Sequence, residues 1–151
     1  MRAKLIFIIF FFFFLTLAGL ANAGDSVAVV VNATVTGNCK FTGSAPMNFS
    51  LDPASNSDAL ATGSVTFWCT KNSLYALTVN AGLHASGIQK RLYDGSANYI
   101  LYAASLASAS GTGGGRHSLA TINLNGIILN ADFVDSPEGG YTDTLTVSIN
   151  P

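Results

Sequence analysis

Charge is scarce in this sequence, and the little there is does not gather. Only 10% of the 151 residues are charged, seven basic and eight acidic. Basic residues this few and this scattered give no electrostatic footprint, which excludes a protein that binds nucleic acid by neutralising phosphates. The same scarcity excludes a highly charged disordered chain. Histidine and cysteine each occur only twice. His84 and His117 stand far in sequence from Cys39 and Cys69, and the cysteines lack the close C-x₂₋₄-C pairing of a zinc site. No Gly-x-Ser-x-Gly elbow occurs. The glycines at 111–115 lack the Lys-Ser/Thr of a phosphate loop and read as a flexible connection between strands. Asp132, Asp135 and Glu138 lie close together but not at EF-hand spacing, and Pro137, Gly139 and Gly140 make them a solvated turn. No catalytic residue, metal site or cofactor is therefore expected, and the chain does not read as an enzyme.

The hydrophobic content, 49%, is concentrated at one end: residues 1–23 hold six of the ten Phe. Arg2 and Lys4 precede an apolar stretch over residues 5–20, and Ala21-Asn22-Ala23 follows as a small-x-small cleavage site. This pattern predicts a secretory signal peptide over residues 1–23, with the mature chain starting at Gly24. The stretch falls short of the roughly 20 residues of a membrane-spanning helix. Without it Lys+Arg drops from 7 to 5 while Asp+Glu stays at 8, so the mature net charge is −3. An even pair of cysteines in an oxidising compartment is expected to form one disulfide, Cys39–Cys69, with a metal site or a catalytic thiol as the remaining alternatives.

The rest reads as strands and turns with almost no helix signal. Residues 26–36 place Val27, Val29, Val31, Ala33 and Val35 on one face at period two. Residues 62–70 place Val65, Phe67 and Cys69 together, and residues 142–149 place Leu145, Val147 and Ile149 inward. Asn125-Gly126, between two apolar runs, predicts a hairpin turn. Trp68 and Tyr102, the candidates for stacking on sugars, read better as core residues of strands. Strands every 8–12 residues indicate an all-β, immunoglobulin-like antiparallel sandwich in a single domain. The strand before Cys39 has two possible uses. It can pair within its own sandwich, or it can detach and fill a neighbour's sheet, and the pattern alone does not choose.

Several segments together resemble the spore coat protein U domain family, which includes subunits of archaic chaperone–usher pili. They are the strand ending in Gly37-Asn38-Cys39, Met47-Asn48-Phe49 with Asp52-Pro53, and Gly63-Ser64-Val65-Thr66-Phe67-Trp68-Cys69-Thr70. Tyr75-Ala76-Leu77, Asn80-Ala81-Gly82, Arg91-Leu92 and Tyr99-Ile100-Leu101-Tyr102 follow, then the ending Gly140-Tyr141-Thr142-Asp143-Thr144-Leu145-Thr146-Val147. The resemblance implies a sandwich lacking its final strand and completed by donor-strand exchange. Residues 24–36 would be the donor segment, with Val27, Val29, Val31, Ala33 and Val35 as its plug residues, and residues 37–151 the pilin domain. Cys39–Cys69 would staple the early strands, and Tyr141 would form a tyrosine corner. The implied partners are a periplasmic pilus chaperone, an outer-membrane usher and neighbouring subunits. The implied location is a cell-surface pilus reached through the periplasm, serving adhesion and biofilm formation. A secreted monomeric sandwich that binds carbohydrate or surfaces is the alternative, and a coat-type structural protein another.

Overall fold

A computed structural model describes residues 24–151; the expected signal peptide, residues 1–23, lies outside the described residues. Residues 35–151 form one compact unit. Its elements are β1 (Cys39–Ala45), β2 (Ala59–Cys69), β3 (Leu74–Val79), β4 (Lys90–Tyr93), β5 (Tyr99–Leu106), β6 (Ser110–Thr112), β7 (Ala120–Ile128), a single helical turn α1 (Asn130–Phe133) and β8 (Val147–Asn150). They build two antiparallel sheets, one ordered β1-β2-β7-β5-β4 and the other β6-β3-β8. Among the described residues no helix is long and apolar enough to cross a membrane.

Alternation writes the core. Val65, Phe67 and Cys69 on β2, Ile100 and Tyr102 on β5, and Leu124 and Ile128 on β7 are buried, while the residues between them, buried Gly126 apart, are at least partly open to solvent. One cluster joins the sheets through Phe67, Cys69, Tyr75 and Leu77, with Phe67 and Tyr75 edge-to-face at 5.0 Å between ring centroids. The other gathers Ile100, Tyr102, Ile128 and Phe133. The expected disulfide forms between Cys39 and Cys69, which are directly paired across β1 and β2.

Two local expectations are corrected. Asn125-Gly126 is no hairpin: β7 runs straight through it, with Asn125 opposite Thr62 and Gly126 opposite Ala61. Glycine is needed there for space, because a Cβ on Gly126 would collide with the Met47 sulfur and the Phe49 ring. The glycine-rich stretch is likewise no loose connection. It starts within β6, paired to β3, and it is laced down by Gly113 N–H to Ser73 C=O at 2.7 Å and Gly115 N–H to Cys69 C=O at 3.0 Å. A Cβ at Gly111 or Gly113 would strike the Tyr75 ring or the backbone at Thr70.

Residues 24–34 belong to a separate unit. They are exposed and in no strand among the described residues. Residues 35–38, which lead into β1, are likewise exposed and unladdered. The valines at 27, 29, 31 and 35 are 80–87% exposed.

Candidate functional site

A groove of about 760 Å³ opens in the face of the sandwich. One lip is the end of β1 and the chain after it, Ser44 to Leu51; the other is residues 139–147, which lead into β8. Val65, Leu92, Tyr102 and Leu124 line its interior, and Met47, Phe49, Leu145 and Val147 project from the lips. Its lining is thus mainly apolar, although much of it remains unburied.

The small residues beneath the first lip explain its path. Gly63 is buried, and a Cβ on it would crowd the Ala45 carbonyl and the Met47 Cβ. Gly63 and Gly126 together let Met47 and Phe49 lie flat over β2 and β7. The second lip alternates like a strand: Tyr141, Asp143, Leu145, Val147 and Ile149 are half-buried and the residues between them exposed. Its backbone is bonded along one side only. Thr142 exchanges both hydrogen bonds with Tyr93 at 2.9 Å, the Thr144 carbonyl accepts from Leu83 N–H at 3.1 Å, and that of Thr146 from Asn80 N–H at 3.0 Å. The backbone groups of Asp143 and Leu145 have no backbone partner among the described residues. An unpaired strand edge beside an apolar trough is a template for another strand.

One polar knot stiffens this lip. Asp143 accepts from the Tyr102 hydroxyl at 2.6 Å and from His84 N–H at 3.0 Å. Asn80 Oδ1 accepts from Thr146 N–H at 2.8 Å and Gly82 N–H at 3.2 Å. Gly82 has φ +100°, and a Cβ on it would strike the Asp143 carboxylate. Burial raises the pKa of Asp143, but the Tyr102 hydroxyl and the backbone N–H groups of His84, Thr144 and Leu83 outweigh it, leaving the carboxyl below its ordinary 3.8. Burial first, then the bond to Asp143 and its charge, hold the Tyr102 hydroxyl well above its ordinary 10.0.

Of the residues singled out in the sequence, Cys39 and Cys69 lie together and Tyr141 sits on the groove lip, its hydroxyl donating to the Pro137 carbonyl at 3.0 Å. Val27, Val29, Val31 and Ala33 lie in the other unit, and Val35 is exposed just ahead of β1. Tyr102 is core, as expected, but its pairing with Asp143 across 41 residues went unread. The sequence signal was available: Asp143 is the one charged residue in an otherwise apolar alternating series from Tyr141 to Ile149. Among the described residues no group of acids, His or Cys could hold a metal ion.

Sheets, groove and free edge define an incomplete immunoglobulin-like sandwich. The Spore Coat Protein U domain matches residues 25–148, and the chain belongs to that family. Among solved structures it is similar to a chain of the CsuC–CsuE chaperone–tip adhesion subunit pre-assembly complex, from archaic chaperone-usher Csu pili of Acinetobacter baumannii. That likeness has a TM-score of 0.50 and 19% identity, covering 77% of this chain and 40% of that one. At this identity it speaks for the fold, and this chain spans less than half of its relative's length. No curated protein matches the chain.

Proposed function

We propose that the protein is a structural, non-catalytic subunit of a cell-surface pilus, assembled through the periplasm by a chaperone–usher pathway. The observation that carries this reading is the open apolar groove with an unpaired backbone edge at Asp143 and Leu145. A strand added there completes the sheet: main-chain bonds supply general affinity, and alternate side chains filling the trough supply register. A periplasmic chaperone lends the first strand. At the outer-membrane usher, residues 24–36 of the next subunit replace it. Val27, Val29, Val31, Ala33 and Val35 are the plug residues, and residues 37–151 form the receiving domain. That residues 24–34 are exposed and in no strand among the described residues supports this division. Tyr141 acts as a tyrosine corner that fixes the lip, supported by its bond to Pro137. A head-to-tail contact that does not close gives a filament, and the filament serves adhesion and biofilm formation.

Deleting residues 24–36 behind the signal peptide tests the reading. The shortened chain is expected to bind the chaperone through its groove yet end any fibre it joins, since it has no strand to pass on. Recovery of that chain inside long filaments, with subunits on both sides, would sink the proposal.

A further inference from the structure

The donor segment and the receiving lip have matching lengths. Five plug residues span residues 27–35, and five half-buried residues span 141–149. Eight strand steps cover about 26 Å in each. Neither series is uniform. Ala33 is the one small residue among the five plugs, and Asp143 is the one charged residue among the five on the lip.

The groove is already filled beside Asp143. Tyr102 rises from the floor to bond it, and Phe49 leans from the opposite lip against Tyr102, edge-to-face at 6.4 Å between centroids. A branched side chain added at this section would overpack the rings and strip the carboxylate of its remaining water. The lining also includes the aliphatic side chains of Val65, Leu124, Leu145 and Val147, against which a valine would pack.

We propose that Tyr102, Asp143 and Phe49 form a size filter that sets both the register and the direction of the incoming strand by admitting only Ala33. This rests on the strand-exchange reading above. Placing Ala33 beside Asp143 pairs Val31 with Leu145, Val29 with Val147, Val27 with Ile149 and Val35 with Tyr141, so every plug is used and the strand runs antiparallel to the lip. The opposite direction over the same nine residues sets Val29 against Asp143 and leaves Ala33 beside Val147, a clash in one place and a void in the other. A slip by one residue turns every plug to solvent.

Outward residues report the register without disturbing the filter. Asn32, Thr142, Thr144 and Thr146 are all exposed. The proposal places Asn32 directly opposite Thr144. Three double variants of the full chain are made in the native host, joining Asn32→Cys to Thr142→Cys, Thr144→Cys or Thr146→Cys. Surface multimers are then compared on non-reducing gels. The Thr144→Cys pair is expected to give a covalent ladder, and the other two mainly monomer. A dominant ladder with Thr142→Cys means a slipped register and overturns the proposal; one with Thr146→Cys means a slip or a parallel strand and also overturns it. Multimers with no ladder from any pair overturn it too. If the unsubstituted chain forms no surface multimers, the subunit reading itself fails, and this inference with it. The filter has its own readout: Ala33→Leu is expected to cut multimer yield about tenfold, and Val31→Leu to leave it within about twofold. Equal yields from these two variants would remove the filter.

Discussion

The hydroxyl of Tyr102 donates to Asp143 Oδ2 at 2.6 Å, joining the middle of β5 to the lip of the open groove. The two groups bracket stability along the pH scale. Asp143 sits below its ordinary 3.8, so its contribution is complete above that value and fades as pH falls through the lowered one. Tyr102 is raised above its ordinary 10.0, so its contribution is complete below pH 10 and fades as pH rises further. Urea midpoints are expected to be flat between about pH 5 and 9 and to fall on either side. Tyr102→Phe should lower stability by about 1–3 kcal/mol at pH 7 and flatten the alkaline limb. A variant with unchanged midpoints at pH 7 and at both ends of that range would show that the bond contributes nothing.

Gly82 turns the chain beneath Asp143 with φ +100° and no room for a Cβ. Gly82→Ala therefore combines backbone strain with displacement of the carboxylate, at a cost of about 2–4 kcal/mol. Gly87→Ala is the control, since Gly87 also has positive φ but open space around it. Thermal unfolding should separate the two; equal losses would leave strain alone as the cause.

Gly126→Ala should cost about 1–3 kcal/mol by overpacking, because Met47 and Phe49 lie against Gly126. Adding Met47→Ala should restore part of that loss, and a double-mutant cycle measures the coupling. Purely additive effects would contradict the packing account.

These glycines also show where the sequence was legible. The period-two pattern identified the inward faces of β2 and of the chain leading into β8, because alternation is a direct image of a half-buried strand. The disulfide was legible from compartment and cysteine parity. Asn125-Gly126 was not, since a glycine that frees φ and a glycine that frees space look alike in one dimension. The 111–115 stretch misled for the same reason. The Tyr102–Asp143 bond joins residues brought together by topology alone, and only the odd acid in an apolar series hinted at it.

Removing the disulfide with Cys39→Ala and Cys69→Ala should lower stability by about 3.7 kcal/mol on the loop-entropy account, for a separation of 30 residues. Guanidinium titration followed by Trp68 fluorescence reads this, Trp68 being the neighbour of Cys69. A loss under about 1 kcal/mol would mean the unfolded chain is held together by other means.

Val29 is 80% exposed, so Val29→Asp should leave the unfolding midpoint of the isolated chain unchanged. Under the proposed strand exchange its effect belongs to assembly, where a charge would enter an apolar trough, and surface multimers should fall at least about a hundredfold. Asn32→Asp puts the same charge on the outward face and should assemble normally. Equal multimer yields from these two substitutions would contradict the role given to the valine ridge.

The pairing of Cys39 with Cys69 has a mechanical consequence. Asn38 is held by Thr70 through Asn38 N–H to Thr70 Oγ1 at 3.0 Å and Thr70 N–H to Asn38 C=O at 2.8 Å, and the next residue is covalently tied to Cys69. Tension arriving along the N-terminal segment therefore passes straight into β2, an inner strand flanked by β1 and β7. The hydrogen bonds of β1 are spared from being peeled one at a time, and a pull on the tether is shared across the larger sheet.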